Sequence, residues 1–299
     1  MQALQVKEDG VYVDATYGRG GHAREILKKL GVRGKLLVFD RDPQACDDAR
    51  RNFGADKRVV ITQGPFSMLR HTTESLGLAG GINGILFDLG VSSPQLDDPR
   101  RGFSFRSEGP LDMRMDPLAG ESAAEWIQRA EEAEITRVIR DYGEERFAKR
   151  IARAIVRERS VEPITTTRRL AEIISRAVPM REKNKDPATR SFQAIRIFIN
   201  HELDELREAL PQTVDLLAAG GRLVVISFHS LEDRMVKHFL RTEEKGRDLP
   251  PDLPVPRDHF RPRLRTIGKP IRASASEADR NPRARSAMLR VAERTEVVA

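Results

Sequence analysis

The most informative part of the sequence is residues 11–22, Val11-Tyr12-Val13-Asp14-Ala15-Thr16-Tyr17-Gly18-Arg19-Gly20-Gly21-His22. Its first half alternates apolar residues as a β-strand does, and Ala23, Ile26, Leu27 and Leu30 then recur at helical spacing. The glycines between them allow positive φ and a close approach to a ligand, and the helix behind them offers unpaired N–H groups. The stretch therefore predicts a strand, a glycine-rich binding turn and a helix. A purely structural turn stays open as an alternative, because the spacing is not the full dinucleotide fingerprint.

The composition limits the class of protein. A chain of 299 residues with 39% hydrophobic content can fill one large core or two ordinary ones. The single cysteine, Cys46, allows neither an internal disulfide nor a cysteine metal cluster, and no metal site is expected. No apolar run approaches the ~18 residues of a membrane span and no signal peptide is recognisable, so we expect a cytoplasmic protein. The net charge of +7 makes nucleic acid the first partner to consider.

Three further apolar runs are expected to form strands, at 35–40, 58–62 and 84–89. Helical patterns separate them, one of which begins at Pro43 with Asp42 as its N-cap. Strands that alternate with helices at this spacing predict an α/β protein with a doubly wound, mostly parallel sheet, which is a Rossmann-like arrangement.

Several residues fall at the predicted carboxyl ends of these strands, where such sheets bind ligands. Asp40 follows Gly20 by twenty residues, close to the spacing of a carboxylate that binds a ribose hydroxyl. Phe66 follows the third strand, where it could stack on an adenine or fill the core under a loop, and Asp88 ends the fourth strand. With the glycine turn, these residues predict an adenosine-containing cofactor. The dinucleotide and P-loop fingerprints are both absent, so S-adenosylmethionine is favoured over a nicotinamide.

The long stretch 90–116 has neither the helical nor the strand period, which is typical of a functional loop. Arginines alternate with phenylalanines in it, a pattern that suits a polyanion whose bases can stack. The alternative is a lid packed on the domain with its arginines in solvent. The residues expected to contact RNA here are Arg100, Arg101, Phe103, Phe105 and Arg106.

From Glu121 to about Leu210 the pattern is helical, with helix N-caps expected at Ser122 and Thr167 and one long helix striped from Phe192 to Leu210. The sheet pattern returns at 220–228. We therefore expect an all-helical insertion at 117–200, serving substrate recognition, within a sheet domain formed by residues 1–116 and 201–299.

One predicted helix, 146–159, is strongly basic. It carries one acid, Glu158, against six cationic side chains: Arg146, Lys149, Arg150, Arg153, Arg157 and Arg159. A solvated helix face usually mixes its signs, so an RNA-facing surface that includes Arg150 and Arg153 is the better interpretation.

The last hundred residues add three expectations. His229, at the end of the strand 220–228, could be a catalytic base, although a histidine at a strand end more often caps or orients a neighbour. Residues 246–262 are predicted to form a proline-rich loop. The segments 263–267 and 287–292 are predicted to pair as late strands.

These motifs closely resemble the MraW/RsmH family of bacterial methyltransferases, which act on the N4 amine of a cytidine in the decoding region of 16S ribosomal RNA. The resemblance lies in residues 16–22, 40–43, 64–66, 88–95, 109–116, 227–233 and 281–286. It implies a class I S-adenosylmethionine-dependent methyltransferase domain and a 16S ribosomal RNA substrate, expected within the small ribosomal subunit. The cofactor contacts that it implies are Gly20, Gly21, His22, Asp40, Phe66, Asp88 and Gln95.

The chemistry of such a reaction suggests catalytic residues. A cytosine N4 lone pair is delocalised into the ring, so its attack on a sulfonium methyl needs acceptors that hold the amine hydrogens in line. We expect Asp88 near the methionine end of the cofactor, and Ser92, Ser93 or the backbone at Pro94 at the amine. Cys46 is badly placed for the cysteine attack that methylation of cytosine C5 normally uses.

Two alternatives from other classes remain at this stage. One is a nicotinamide-dependent oxidoreductase with an added helical domain. The other is a catalytically silent RNA-binding assembly factor on the same fold.

Overall fold

A computed structural model describes residues 1–180, 186–245 and 261–296. The chain divides into two compact units, one formed by Met1–Gly90 with Leu203–Ala299 and the other by Val91–Glu202. None of the helices in the described ranges combines the length and the apolar character needed to span a membrane. Apart from its last two residues, the predicted proline-rich loop at 246–262 lies outside the described residues.

The first unit is built on one sheet, which within the described residues has the strand order β3-β2-β1-β4-β5-β8-β6, with β7 paired to β8. Its strands are β1 (Val11–Asp14), β2 (Lys35–Asp40), β3 (Val59–Gln63), β4 (Ile82–Asp88), β5 (Leu217–Ser227), β6 (Leu264–Thr266), β7 (Ile271–Arg272) and β8 (Met288–Arg294). Strands β1 to β5 are mutually parallel, whereas β8 runs antiparallel to β5 and β6. The predicted pairing of the last two segments is confirmed.

The helices are, in chain order, α1 (Gly21–Leu27), α2 (Pro43–Phe53), α3 (Leu69–Ser75), α4 (Ser93–Asp97), α5 (Ala123–Arg129), α6 (Glu132–Gly143), α7 (Ala148–Arg159), α8 (Thr167–Ala177), α9 (Ala188–Ile199), α10 (Glu202–Leu216), α11 (Ser230–Lys245) and α12 (Ala275–Arg280).

Both faces of the sheet are covered. Successive strand residues point to opposite faces, so Leu37 and Phe39 of β2 enter one apolar cluster while Leu36 and Val38 enter another. All four side chains are at most 1% exposed. A parallel sheet buried on both faces confirms the predicted doubly wound α/β class.

The second unit is helical and has its own core, which includes Trp126, Ile139, Ile151 and Ile174. Ser122 caps α5 as predicted, since its hydroxyl accepts from Glu125 N. The cap of α8 is one residue earlier than predicted, at Thr166, whose side chain accepts from Arg169 N.

The predicted single helix from Phe192 to Leu210 is wrong, because α9 and α10 are separate helices. The apolar stripe continues across the break, but His201 adopts a left-handed φ of 52°, which ends the regular helix. Just before it, the buried Asn200 side chain donates to Met113 O and accepts from Met115 N, both at 2.7 Å. The break therefore serves a local hydrogen-bond network.

The stretch 91–116 packs with the helical unit. Leu111 and Met113 are fully buried in its core, and the Phe105 ring lies edge-on to Phe192 at 4.8 Å between centroids. The compact helical unit thus begins at Val91 and ends at Glu202, whereas the insertion expected from the sequence spans 117–200. The difference arises because apolar residues of the aperiodic stretch 91–116 pack against helices that come much later in the chain.

Candidate active site

The glycine turn after β1 packs closely against the Tyr17 side chain. Gly18 and Gly20 have φ of 57° and 69°, in the left-handed region that favours glycine. A Cβ at Gly20 would lie 2.7 Å from the ring of Tyr17, which is buried and held by a 2.8 Å hydrogen bond from its hydroxyl to Asp48. A Cβ at Gly21, at the start of α1, would meet open space. The turn therefore packs on Tyr17 and leaves the backbone at Gly21 accessible.

Asp40, the last residue of β2, fastens this turn to the sheet. Its carboxylate accepts from Gly18 N at 2.8 Å and from Asp42 N at 2.9 Å. Burial raises its pKa to about 6, against the lowering effect of these two hydrogen bonds. Asp42 in turn caps α2 as predicted, accepting from Gln44 N. Each carboxylate oxygen has a second lone pair, so Asp40 can still accept from a ligand hydroxyl.

Asp88, the last residue of β4, lies beside the predicted cofactor residue His22. Its backbone N–H donates to Thr16 Oγ1 at 2.7 Å, which ties β4 to the glycine turn. Its Oδ2 is 3.3 Å from His22 Nε2, and hydrogen bonding to Asp88 raises the pKa of His22 above its ordinary value although burial opposes this. The other oxygen, Oδ1, is buried and has no hydrogen-bond partner among the described residues. A buried acceptor without a donor is a position where a ligand N–H or O–H would be stabilised.

The sequence reasoning missed Asp14, the last residue of β1. It is fully buried, accepts from Thr16 N at 3.3 Å through Oδ1, and its Oδ2 has no partner in the described part of the chain. Burial raises its pKa to about 6, and the nearby His22 has the largest opposing effect. The signal that could have identified it is the one used for Asp40 and Asp88, a buried strand that ends in an acid.

Phe66 follows β3 in a short 3-10 turn, Phe66–Met68. It is partly buried and packs edge-on against Phe87 of β4 at 5.4 Å. The structure therefore gives it a share of the core beside the carboxyl ends of the strands. Both sequence interpretations, core aromatic and stacking surface, are compatible with this position.

The carboxyl ends of β1, β2 and β4 thus carry three aspartates: Asp14, Asp40 and Asp88. Coulombic repulsion from Asp88 and Asp40 contributes to the raised pKa of Asp14, so the three charges act on each other. Such an edge attracts a cationic ligand and repels a pyrophosphate.

Ser92, Ser93, Pro94 and Gln95 lie in the helical unit, where they form the start of α4. Gln95 is buried, and its side-chain oxygen accepts from Ser92 N at 2.9 Å. Ser93 is exposed at the first position of the helix. The structure thus gives Gln95 a helix-capping role, and the backbone around Ser92 is fixed by it.

Two of the residues predicted to contact RNA have structural contacts within the helical unit. Arg101 is only 7% exposed, and its guanidinium donates to the carbonyls of Arg114 and Met115 at 3.1 and 2.8 Å. Phe103 is 6% exposed and belongs to the helical core. Burial thus gives Arg101 and Phe103 a role in packing, and their RNA contacts stay predictions.

The other predicted RNA-binding residues are more accessible. Arg106 is exposed, and Arg100 is exposed and paired with Asp98 at 2.9 Å. Phe105 is partly buried against Phe192. Arg150 and Arg153 both lie on the exposed face of α7.

His229 takes part in starting α11. Its Nδ1 accepts from Glu232 N at 3.4 Å, and the Glu232 carboxylate accepts from Phe228 N at 2.8 Å. These contacts favour the capping interpretation of His229 over a catalytic base.

Cys46 is buried on α2, and its Sγ donates to Asp40 O at 3.2 Å. Burial raises the pKa of the thiol to about 12, so the nucleophilic thiolate is not formed at neutral pH.

Comparison with known proteins identifies relatives over nearly the whole chain. The curated "Ribosomal RNA small subunit methyltransferase H" of Thioalkalivibrio sulfidiphilus is 58% identical over 295 residues, which is 98% of this chain and 94% of the relative. The protein of the same name from Thiobacillus denitrificans is 59% identical over 293 residues, 98% and 93% of the two chains.

A solved structure of an rRNA methylase from Streptococcus thermophilus aligns over 97% of this chain and 90% of its own, with a TM-score of 0.42 and 11% identity. Similarity at this level supports no conclusion about the site. The family model of the MraW methylases matches residues 1–295. The chain belongs to the MraW methylase family.

Proposed function

We propose that this protein transfers a methyl group to the N4 amine of a cytidine in the decoding, P-site region of 16S ribosomal RNA, with the small ribosomal subunit as the form in which it meets that RNA. The cofactor is S-adenosylmethionine, which supplies an electrophilic methyl group on a sulfonium. Support for the RNA substrate comes from the two curated relatives, both named as methyltransferases of small-subunit ribosomal RNA. The finer assignment to a cytidine N4 rests on the chemistry of the residues.

The observation that carries the proposal is the anionic edge formed by Asp14, Asp40 and Asp88. S-adenosylmethionine bears a sulfonium, an ammonium and a carboxylate and is a net cation, whereas a nicotinamide dinucleotide carries an anionic pyrophosphate. Three carboxylates at one edge therefore favour the former ligand. The unpartnered Oδ1 of Asp88 and the second lone pairs of Asp40 are acceptors for the donors that such a ligand brings.

In this proposal each cofactor residue has a physical task. Gly20 and Gly21 let the main chain approach the ligand, Asp40 accepts from ribose hydroxyls, and Phe66 lies at the adenine. His22 holds Asp88 in place through the 3.3 Å contact between Nε2 and Oδ2, leaving Oδ1 for the ligand.

The acceptors for the target amine are expected on the segment that follows β4. Ser92, Ser93 and the backbone at Pro94 offer a hydroxyl and carbonyl oxygens that would hold the amine hydrogens and favour a pyramidal nitrogen. Gln95, which the resemblance implies as a cofactor contact, fixes the backbone of this segment through Ser92 N. No separate general base is required, because the amine proton becomes acidic once the nitrogen is alkylated.

Cys46 supports methylation at N4 over C5. A C5 reaction normally needs a cysteine thiolate against the pyrimidine ring, and Cys46 is the only cysteine of the chain. Its burial and its raised pKa make it unsuited to that attack.

The helical unit is the proposed RNA-binding unit. The accessible basic side chains Arg100, Arg106, Arg150 and Arg153 are candidates for phosphate contacts, and the partly buried Phe105, which packs on Phe192, is a candidate for contact with a base. The target base must leave its stack to be methylated, at a cost of a few kcal/mol that RNA contacts would have to offset.

Labelled-methyl transfer to small ribosomal subunits and to naked 16S RNA tests the proposal, with mass spectrometry of the modified nucleoside. We expect N4-methylcytidine from the wild-type protein, and loss of transfer in Asp88→Ala with RNA affinity within a few fold. Asp47→Ala, which removes an exposed acid of α2, is the charge-matched control and should transfer normally. A methyl group on C5, or normal transfer by Asp88→Ala, would overturn the assignment.

The same assay addresses the catalytically silent assembly factor, which would bind RNA and transfer nothing. A preference for NAD over S-adenosylmethionine in equilibrium binding would instead favour the oxidoreductase.

A further inference from the structure

The helical unit contains a cavity between α7 and α8 with arginine walls. Its volume is about 170 Å³, and its lining consists of Arg150, Arg153, Ala154, Arg157, Glu158, Ile173, Arg176 and Ala177. Arg150, Arg153 and Arg157 follow each other at spacings of three and four residues, which places them on one face of α7. Arg176 comes from α8.

The floor of this cavity explains why the space exists. Ala154 of α7 and Ala177 of α8 are both buried, and their methyl groups are too short to fill the gap between the two helices. Ile173 closes the apolar floor. Guanidinium groups around a low-dielectric floor act on an anion more strongly than the same groups on an open surface.

The positive charge of the cavity is only partly neutralised within the protein. Glu158 is its one acidic lining residue, and that carboxylate is engaged by Arg157 at 3.0 Å and by Arg169 at 2.7 Å. In the described ranges Arg150 has no ion-pair partner.

The remaining two arginines have only long ion pairs. Arg153 lies 3.8 Å from Glu132, and Arg176 lies 3.7 Å from Glu172. A guanidinium has five N–H donors, so most donors around the cavity are available to an external acceptor.

We propose that this cavity is a binding site for a backbone phosphate of single-stranded RNA, clamped by Arg150, Arg153, Arg157 and Arg176. Guanidinium pairs recognise phosphate oxygens through paired N–H donors, and arginine is more weakly hydrated than lysine. The inference rests on the proposed RNA substrate and adds the place and the chemical group by which the helical unit holds it. A diffuse basic surface would not need the cavity, whereas a seated phosphate does.

The test exploits this difference through Ala154→Leu, which fills the cavity without changing the charge. Binding of a fluorescent single-stranded RNA oligonucleotide is measured by anisotropy over a salt series, using the full chain. We expect about a tenfold or larger loss of affinity in Ala154→Leu and in Arg150→Gln/Arg176→Gln. The slope of log K against log salt should become shallower by about 0.7, the value of one phosphate contact on a single strand.

The matched control is Arg140→Gln/Arg168→Gln, which removes two exposed arginines of the same unit that do not line the cavity. Its affinity should stay within about twofold after allowance for net charge. Thermal unfolding and S-adenosylmethionine binding verify that each variant is folded, and the arginine pair keeps the test valid if the leucine variant fails to fold.

Equal losses in the cavity pair and the control pair, or unchanged binding by the cavity pair, would overturn the proposal. Tight binding of inorganic phosphate at the cavity that leaves RNA binding unchanged would also overturn it, in favour of a free-anion site. Methyl transfer by the wild type is measured separately, so the phosphate site can be refuted while the proposed function stands. If the protein binds RNA at the cavity but transfers no methyl group, only the proposed function is refuted.

Discussion

Replacing Asp14 by asparagine should stabilise the protein without ligand and weaken its binding of the cofactor. Asp14 is fully buried, one of its oxygens has no hydrogen-bond partner in the described part of the chain, and burial raises its pKa from 3.8 to about 6. An acid whose folded-state pKa is raised binds protons more tightly when folded than when unfolded. The folded state therefore loses stability as pH rises from about 4 to above 6.

The magnitude follows from the pKa change. Each pKa unit corresponds to ~1.4 kcal/mol, so a rise of about two units costs about 3 kcal/mol of stability at pH 7.5, where the carboxylate is ionised in both states. At pH 4 the folded group is mostly protonated and the cost falls below about 1 kcal/mol. Asparagine resembles the protonated acid, so Asp14→Asn should gain most of these 3 kcal/mol at pH 7.5 and little at pH 4.

Denaturant unfolding without ligand at pH 4, 5, 6 and 7.5 measures the effect, and calorimetric titration with S-adenosylmethionine gives the affinity. Loss of one carboxylate from the anionic edge should weaken binding of this cation at pH 7.5. The matched control is Asp47→Asn, an exposed acid on α2, for which we expect no comparable change. If Asp14→Asn lowers the free energy of unfolding at pH 7.5, or raises it as much at pH 4 as at pH 7.5, the ionised Asp14 carboxylate does not destabilise the folded protein. Either result would refute the reasoning.

Three further substitutions test the site and its support. Gly20→Ala should lower S-adenosylmethionine affinity at least about tenfold, because the new Cβ would lie 2.7 Å from the Tyr17 ring. Gly77 has a similar φ of 66° but open space around it, so Gly77→Ala is the control for backbone strain alone. Equal losses of affinity in the two variants, measured by calorimetry, would refute a packing effect. Asn200→Ala should lower the free energy of unfolding by about 2–4 kcal/mol, since the buried Met113 O and the partly buried Met115 N lose their partner. A denaturation midpoint that does not move would contradict the network. Cys46→Ala should retain methyl transfer in the labelled-methyl assay, and an inactive but folded variant would reopen C5 chemistry.

The sheet and much of its functional edge could be predicted from local patterns. Apolar runs of strand length fixed β1 to β5, and Asp40 and Asp88 were identified because each ends such a run. Asp14 ends β1 in the same way, but the glycines that follow it are the more prominent local signal, so the sequence analysis did not identify it. Local sequence was sufficient to predict those elements whose stabilising interactions lie within one strand and the turn that follows it.

The stretch 91–116 could not be interpreted from local patterns. Arg101 is buried because carbonyls at 114 and 115 accept from it, and Phe103 because the helices form a core around it. Neither partner is implied by the alternation of arginine with phenylalanine. The helix break at His201 could not be predicted either, because the apolar stripe continues across it and does not indicate a single residue with positive φ.

The buried aspartates Asp14 and Asp40 lower the stability of the protein without ligand, which suggests that they are present for binding. Burial raises the pKa of both Asp14 and Asp40 to about 6, so at neutral pH the empty protein holds two carboxylates that water would solvate better. The Asp40 carboxylate accepts from two main-chain N–H groups of the turn, whereas one Asp14 oxygen has no partner among the described residues. The uncompensated part of the cost therefore lies mainly at Asp14. Acidification relieves this cost by protonation, and a cationic ligand relieves it by neutralising charge without protonation. Stability of the empty protein and affinity for the cofactor should therefore change in opposite directions as pH falls through about 6, which is the behaviour of charges kept for binding and not for folding.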